Sequence, residues 1–230
     1  MEKINFIVVC TEKYSAEYAN KTLNMFNRNY QGTFDAFCIT DKREEISQEY
    51  TCIDKDKALI GWWNKLSIFG QELPHEYTLY ADLDLLFLND ITDVIRFTME
   101  RIQDFQIACF GDHIGWHGEK FGSAFMFFNQ EKMRWLFSEF SKDLESNQGT
   151  VGGDQIWLGR RLSEVMYLEE YFQNFVRSLK FDVASISNDK KSIQIPSNIE
   201  NDFLLLNCHG QPKPHELREL GWKPIESIWI

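Results

Sequence analysis

Residues 77–90 read Y-T-L-Y-A-D-L-D-L-L-F-L-N-D, and the interpretation of the whole chain starts from this stretch. Apolar residues flank Asp82-Leu83-Asp84 on both sides, which predicts one strand buried on both faces. Alternate residues of an extended chain point the same way, so the two aspartates are expected on one side and Leu83 on the other. Buried carboxylates are costly unless something compensates their charge. Two oxygen donors on one side suit Mg²⁺ or Mn²⁺, and we expect a cation here that holds the phosphates of a nucleotide.

A second copy of the triplet, Asp54-Lys55-Asp56, lies among polar and charged residues and is interpreted as a solvated loop. The triplet alone therefore discriminates poorly in a chain with 35 acidic residues. The apolar flanks favour metal binding at residues 82–84. The alternative is a strand end whose carboxylates cap nearby backbone groups.

The composition restricts the class of protein. A chain of 230 residues that is 43% hydrophobic and 15% aromatic can bury a sizeable core, and a single domain over residues 1–230 is expected. The net charge of −11 argues against a nucleic-acid partner or an anionic membrane surface, because both require a basic face. A diphosphate remains a possible ligand if a metal supplies the positive charge.

The five cysteines form no C-x-x-C pair, so a structural zinc site is not expected. Cys10, Cys38, Cys109 and Cys208 lie in or beside apolar, strand-like runs, which is typical of reduced thiols in a cytoplasmic protein. The apolar run that follows Met1 is too short for a signal peptide or a membrane span, so no transmembrane segment is expected.

The apolar runs predict an α/β chain with a mixed central sheet flanked by helices. Strands are predicted at 4–10, 34–40, 51–53, 106–110, 123–129, 165–168, 181–186 and 204–208 in addition to the opening stretch. Helices are predicted at 16–29, 59–69, 91–102, 131–145, 155–162 and 215–220.

The predicted helix 59–69 contains two tryptophans and a lysine whose roles have to be assigned. Trp62 and Trp63 are predicted to pack in the core. Lys65 lies off the apolar stripe, and it is either a solvated lysine or a phosphate contact.

Two glycine-rich segments are predicted as loops. Residues 111–122 contain His113 and His117 at a spacing that would suit a metal on a helix, but the intervening glycines disfavour a helix. A mobile loop over an active site fits better. Residues 148–155 are not a phosphate-binding P-loop, because no Gly-Lys-Ser/Thr follows, and Asp154 at the start of a helix has an ordinary N-cap as its alternative role.

The landmarks occur in an order that resembles a known family. They are an N-terminal βα unit, Asp-x-Asp after an apolar strand, a strand of small and apolar residues ending in Asn129, an Asp-Gln pair, and a late His-Gly-x-x-Lys-Pro. This order resembles the GT-A glycosyltransferases, a Rossmann-like fold for nucleotide-diphospho-sugar transfer, and specifically the family 8 group of glycogenin and bacterial galactosyltransferases. The resemblance spans about residues 4–215.

The resemblance implies a metal site and a diphosphate contact. Asp82 and Asp84 match the family's Asp-x-Asp, of which the second usually binds Mn²⁺ directly and the first shares metal and ribose contacts. His209 matches the late histidine that completes the metal site, so Mn²⁺ or Mg²⁺ is the implied cofactor. Lys213 matches the lysine that touches the donor diphosphate.

The resemblance also implies the rest of the donor site. Thr11 and Tyr14 fall where the family contacts the base and ribose, and Asp41 follows the second strand. The segment Gly122-Ser123-Ala124 falls near the donor sugar. The pair Asp154-Gln155 matches the catalytic pair beside the reacting carbon. The remaining residues expected to bind the donor are Lys65, Leu83 and Gly210.

The sequence departs from the family pattern in three ways. Gly210 follows His209 at once, where two residues usually intervene. Gly122 and Ala124 replace the usual asparagine and glycine, which bears on the choice of sugar. Ile156 stands where a second acidic residue is common.

The implied reaction is a metal-dependent transfer of a hexose from a nucleoside-diphosphate sugar to a glycan or protein acceptor. UDP is favoured and GDP is open, and the family implies retention of configuration. An inverting enzyme would need a carboxylate base, for which Asp112 and Glu119 are candidates. One alternative is a sugar nucleotidyltransferase, although residues 10–15 lack the Gly-rich, basic loop of that class. The other is a non-catalytic nucleotide-binding protein with the same fold.

Overall fold

The computed structural model of the protein describes residues 1–112, 120–186, 193–195 and 202–230. The strands in chain order are β1 (Ile4–Cys10), β2 (Phe34–Thr40), β3 (Tyr50–Asp54), β4 (Tyr77–Ala81), β5 (Leu85–Phe87), β6 (Ile107–Gly111), β7 (Phe121–Asn129), β8 (Val165–Tyr167), β9 (Val176–Ser178), β10 (Ser185–Ile186), β11 (Ile193–Gln194) and β12 (Leu205–Asn207). The helices are α1 (Ala16–Asn29), α2 (Thr92–Arg101), α3 (Gln130–Ser141), α4 (Leu144–Gln148), α5 (Gly153–Gly159), α6 (Pro214–Glu219) and α7 (Ile225–Ile228).

The main sheet has the strand order β3-β2-β1-β4-β7-β6-β8, and β1 lies near its centre. β1 is parallel to β2 and β4, whereas β7 is antiparallel to β4 and β6. Successive side chains of β1 enter different cores, because Phe6 and Val8 belong to one apolar cluster and Ile7 to the other. The predicted mixed α/β sheet with helices around it is therefore confirmed.

The strand directions bring several chain segments to one edge of the sheet. β1, β2, β3 and β4 are parallel, so the residues that follow their last residues lie at the same edge. β7 runs the other way, and its register with β4 sets Phe125 opposite Ala81. The start of β7 therefore meets the end of β4 at the carboxyl edge of the parallel strands.

A second, three-stranded sheet of order β5-β12-β9 brings the late part of the chain to this edge. In the antiparallel pairing of β12 with β5, Asn207 lies opposite Leu85, the residue after Asp84. The backbone N–H of Cys208 then donates to the carbonyl of Asp84 at 3.0 Å. The 207–209 segment is thereby fixed beside the second aspartate of the triplet.

The prediction of one continuous strand over residues 77–90 is wrong. β4 ends at Ala81, and the chain turns at residues 82–84 before β5 joins the second sheet. The turn is closed by the N–H of Leu85, which donates to the carbonyl of Asp82 at 3.2 Å, and the N–H of Asp82 donates to Ala124 on β7 at 2.8 Å. The two aspartates therefore leave the sheet at a turn, where polar partners can reach them.

Other predicted elements differ in type or length. The predicted helix 59–69 is a 3₁₀ segment, Gly61–Gly70, and the predicted helix 131–145 is divided into α3 and α4. The predicted strand 181–186 is wrong in its first half, because Leu179–Val183 is a π-helical turn and only β10 is extended. The other predicted strands and helices are present, with ends shifted by three residues at most. No helix in the described part of the chain combines the length and apolarity needed to cross a membrane.

Candidate active site

A polar cleft of about 140 Å³ opens at the carboxyl edge described above. Six residues that the sequence predicted for the site line this cleft. The candidate base also lines it, as do two residues that the sequence did not single out as ligands. The lining residues are Asp82, Asp84, Gly122, Ala124, Gln155, His209, Phe110, Asn207 and Asp112. A larger groove of about 450 Å³ lies against α1 and the C-terminal helices, but it contains none of the predicted site residues. We therefore place the candidate chemistry in the smaller cleft.

Lys65 is the centre of one charged cluster beside this cleft. Its Nζ lies 2.9 Å from Asp82 Oδ1 and 3.1 Å from Asp154 Oδ2, and it donates to Ser123 Oγ at 3.0 Å. Ser123 Oγ in turn donates to Asp154 Oδ2 at 2.7 Å. Lys65 is only 8% exposed, so the interpretation as a solvated lysine is wrong. The alternative role of Asp154 as an N-cap is also wrong, because no side chain caps α5. The Asp154 carboxylate contacts Lys65 and Ser123 instead.

Burial and charge act in opposite directions in this cluster. Burial raises the pKa of Asp82 above its ordinary value, although the Lys65 ammonium opposes the rise. Burial also lowers the pKa of Lys65, but Asp154 and Asp82 outweigh that effect and raise it above the ordinary lysine value. Lys65 therefore remains charged at every physiological pH, and it anchors both carboxylates.

Asp84 belongs to a second cluster with Lys213 and Tyr14. Lys213 Nζ forms an ion pair with Asp84 Oδ2, and the Tyr14 hydroxyl donates to the same oxygen at 3.0 Å. Asp84 and Lys213 are 6% and 8% exposed, so this ion pair is desolvated. Burial and the nearby Asp84 raise the pKa of Tyr14, which stays a neutral donor. The structure thus joins the early βα loop, the aspartate triplet and the late Lys-Pro segment.

The 207–209 segment contributes an amide and an imidazole to the cleft. His209 Nε2 shares a 2.8 Å hydrogen bond with Ser178 Oγ, and its ring stacks on Phe181 with the centroids 5.3 Å apart. Asn207 is buried, and its Oδ1 accepts no hydrogen bond from the described residues. Only the sequence-predicted histidine was expected here, and the asparagine was missed. The spacing to Gly210 was the available signal. The family usually has two residues between the metal-binding histidine and this glycine, and that spacing places Asn207, and not His209, at the position of the ligand.

The oxygen atoms of the cleft fit a hard divalent cation. Asp82 and Asp84 supply carboxylates, and the unpartnered Asn207 Oδ1 supplies a neutral oxygen on the same cleft. Among the described residues no three His, Cys, Asp or Glu side chains converge as a preformed metal cluster. The fit therefore depends on an asparagine oxygen or on substrate oxygens in addition to the two carboxylates.

Several predicted donor residues lie outside the lining of this cleft. Thr11 is buried, and its carbonyl accepts from Lys42 at 3.3 Å, whereas Asp41 is exposed after β2. The Leu83 side chain is in the core, so only its backbone could contact a donor. Gly210 is exposed and has φ +76°. The predicted loop residues that fall outside the described part of the chain are His113, His117 and Glu119.

Two glycines beside the cleft are required by close contacts. A Cβ on Gly122 would lie 2.4 Å from the Phe110 carbonyl, and one on Gly153 would lie 2.9 Å from Trp62 Nε1. Gly153 also has φ +77°, a conformation that side chains rarely adopt. The prediction that Trp62 is a core residue is wrong, because 62% of it is exposed. Its indole lies against Gly153 in the turn that precedes Asp154.

The sequence matches no protein-family model and no curated protein. Its fold is similar to that of solved structures. The galactosyltransferase LgtC, crystallised with donor and acceptor sugar analogs, has 14% identity and a TM-score of 0.68, over 97% of this chain and 94% of that one. An active-site mutant of LgtC gives 13% identity and a TM-score of 0.69, over 97% and 93% of the two chains.

The glycosyltransferase GlyE of Streptococcus pneumoniae TIGR4 is also similar, with 17% identity and a TM-score of 0.67. The match covers 98% of this chain and 60% of GlyE. At these identities the likeness concerns the fold, and it confirms the GT-A glycosyltransferase fold that the order of sequence motifs implied.

Proposed function

We propose that this chain, which has the GT-A glycosyltransferase fold, is a metal-dependent glycosyltransferase that moves a hexose from a nucleoside-diphosphate sugar to a glycan or protein acceptor. One observation carries the proposal: Asp82, Asp84 and Gln155 line one cleft, and the buried ammonium groups of Lys65 and Lys213 lie beside it. The family resemblance favours UDP as the donor nucleotide, and GDP is the alternative. The five cysteines are free thiols, which supports a cytoplasmic location as part of the same proposal.

The chemistry requires stabilisation of the departing diphosphate. When the bond between the anomeric carbon and the phosphate oxygen breaks, its electron pair stays on the diphosphate, and a bound divalent cation would compensate that charge. Lys213 supplies a second positive charge, and we expect its ammonium to exchange Asp84 for the diphosphate when the donor binds. The Tyr14 hydroxyl then keeps Asp84 oriented through its 3.0 Å hydrogen bond.

Lys65 and Ser123 position the catalytic pair. They hold Asp154 by an ion pair at 3.1 Å and a hydrogen bond at 2.7 Å, which fixes its carboxylate at the start of α5. A fixed carboxylate there can orient the sugar hydroxyls and stabilise the positive charge that develops on the anomeric carbon. Gln155 lines the cleft and is the neutral polar contact for the sugar.

The stereochemical course is proposed to be retaining. In that case the leaving phosphate oxygen accepts the proton of the acceptor hydroxyl, and no protein base is needed. Asp112 lines the cleft and is the candidate base for the inverting alternative. Nuclear magnetic resonance of the anomeric signal of the first product, before mutarotation, distinguishes the two courses.

The proposal is tested by incubating the full chain with UDP- and GDP-hexoses and measuring the nucleoside diphosphate released, with Mn²⁺, with Mg²⁺ and with a chelator. Metal-dependent release of one nucleoside diphosphate is expected. Pyrophosphate release from a nucleoside triphosphate and a sugar phosphate would instead identify a nucleotidyltransferase. Tight nucleotide binding that ignores the metal, with no turnover, would identify a binding protein.

Replacing Lys213 with alanine tests the proposed diphosphate contact. We expect the Lys213→Ala variant to bind UDP more weakly by about 1–3 kcal/mol, because a charge-assisted contact to phosphate is lost. Calorimetric titration with UDP and with uridine separates the contributions of phosphate and base. Lys223→Ala removes an exposed lysine and is the matched control. Equal losses for uridine and UDP would contradict a phosphate contact.

Replacing Trp62 with alanine tests whether its exposed indole contacts the acceptor. The exposed indole lies against Gly153, one residue before Asp154, and offers an apolar face to a sugar ring. We expect the acceptor KM to rise about tenfold, equivalent to about 1.4 kcal/mol, while hydrolysis of the donor is unchanged. Trp135→Ala removes a partly exposed indole on α3 and is the control. A parallel fall in donor hydrolysis would show that Trp62 supports the fold of the site instead.

A further inference from the structure

The side-chain oxygen of Asn207 is buried and has no hydrogen-bond partner in the part of the chain that the structure describes. The residue as a whole is 5% exposed. Leaving a buried amide oxygen unsatisfied costs about 1–3 kcal/mol, so such a group calls for a partner such as an ordered water or a bound ion. The residue also lines the candidate cleft. The uncompensated oxygen is therefore available to a ligand in that cleft.

The neighbours of Asn207 define what kind of ligand this is. Asp82 and Asp84 line the same cleft, and the pairing of β12 with β5 sets Asn207 opposite Leu85, next to Asp84 in the chain. The carbonyl of Asp84 also accepts from the N–H of Cys208 at 3.0 Å, which fixes the two segments together. Two carboxylates and one amide oxygen form a set of hard donors, which suits Mg²⁺ or Mn²⁺.

His209 also lines the cleft, and its imidazole is held by β9 and the turn that follows it. Its Nε2 already shares a hydrogen bond with Ser178 Oγ at 2.8 Å, and its ring lies on Phe181 with an angle of 27° between the planes. Ser178 Oγ also accepts from the N–H of Phe181 at 3.2 Å, so β9 and the following turn hold the imidazole. These contacts give His209 a structural role in keeping residues 207–209 against the cleft.

We propose that Asn207, and not His209, supplies the third protein ligand to the divalent cation of the proposed glycosyltransferase. The inference rests on the proposed function and specifies the composition of its metal site. The protein ligands are then three oxygen atoms, from Asp82, Asp84 and Asn207. An oxygen-only set binds a cation without requiring a neutral imidazole and gives softer metals no nitrogen ligand.

Pulsed electron paramagnetic resonance of the full chain with Mn²⁺ and UDP tests this composition, because a directly bound imidazole nitrogen modulates the Mn²⁺ signal. We expect no imidazole modulation in the wild type and a new one in Asn207→His. His209→Gln keeps a polar group that can bond Ser178 Oγ and hold the segment, so it should leave the Mn²⁺ affinity within about twofold. Asn207→Ala should weaken that affinity by about 10–100-fold. Imidazole modulation in the wild type that disappears in His209→Gln would overturn the inference.

Thermal unfolding without metal separates a ligand from a structural residue. Because Asn207 Oδ1 is unsatisfied, replacing it with an apolar side chain should leave the melting temperature of the metal-free Asn207→Ala variant equal to or above that of the wild type. A lower melting temperature with unchanged Mn²⁺ affinity would overturn the inference. Mn²⁺–UDP binding with imidazole ligation would leave the proposed function standing, whereas a folded wild type that binds neither Mn²⁺ nor Mn²⁺–UDP would overturn both.

Discussion

Lys65→Met is expected to lower the free energy of unfolding by about 3–5 kcal/mol, because it leaves the carboxylates of Asp82 and Asp154 without their cationic partner. Lys65 lies within 3.1 Å of both Asp82 and Asp154, and its side chain is 9% exposed. Methionine has a similar length, so the loss reports on the charge more than on a cavity. Denaturant unfolding of the metal-free chain measures the difference.

The effect is expected to depend on pH in a defined direction. The pKa of Lys65 is raised in the folded chain, so its contribution is complete below the ordinary lysine value of about 10.4 and is lost as the pH rises through the higher folded value. Burial raises the pKa of Asp82, so this carboxylate is protonated at a higher pH than an ordinary aspartate. The difference between wild type and variant should stay constant from neutral pH to about pH 10 and shrink in acid.

A matched substitution on the surface gives the control. Lys57 is exposed, and Lys57→Met should change the free energy of unfolding by about 0.5 kcal/mol or less. An equal and small effect of both substitutions would show that Asp82 and Asp154 do not depend on the buried ammonium. That result would contradict the conclusion that Lys65 anchors these two carboxylates.

The fold could be predicted where neighbouring residues carry the information. The apolar run of β1 and the spacing of Trp63, Leu66 and Phe69 indicate burial without any knowledge of partners, and all three side chains are buried. The break at residues 82–84 could not be predicted, because it is fixed by a hydrogen bond from Asp82 to Ala124 on another strand. The exposure of Trp62 also depends on tertiary structure.

The site was predictable as a set of residue types but not as a network. The order of motifs predicted Asp82, Asp84 and Lys213 as site residues, and the structure brings Asp84 and Lys213 into contact. Lys65 remained ambiguous in the sequence, because its partners Ser123 and Asp154 lie on elements much later in the chain. An unpaired buried oxygen such as that of Asn207 is a property of the fold and cannot be read from residue order.

Asp84→Asn is expected to weaken Mn²⁺-dependent UDP binding by about 100-fold or more and to abolish hexose transfer. Removing a residue that only hydrogen-bonds to a metal ligand already lowers metal affinity by about 10–100-fold, and Asp84 is proposed as a direct ligand. Asparagine keeps the shape of the side chain but removes its charge. Titration of Mn²⁺ into the variant with UDP, and of UDP with Mn²⁺ present, measures both losses.

The second triplet of the chain provides the control for this prediction. Asp56 is exposed in the other Asp-x-Asp, so Asp56→Asn makes the same chemical change without touching the cleft. Lys213 loses its ion pair in Asp84→Asn, and circular dichroism must show that the variant remains folded. A folded Asp84→Asn chain with unchanged Mn²⁺ affinity would exclude Asp84 as a ligand. Lys213 and Tyr14 both contact Oδ2 of Asp84, so a cation bound by Asp84 would share the carboxylate with Lys213, and a bound diphosphate would accept contacts from both positive charges.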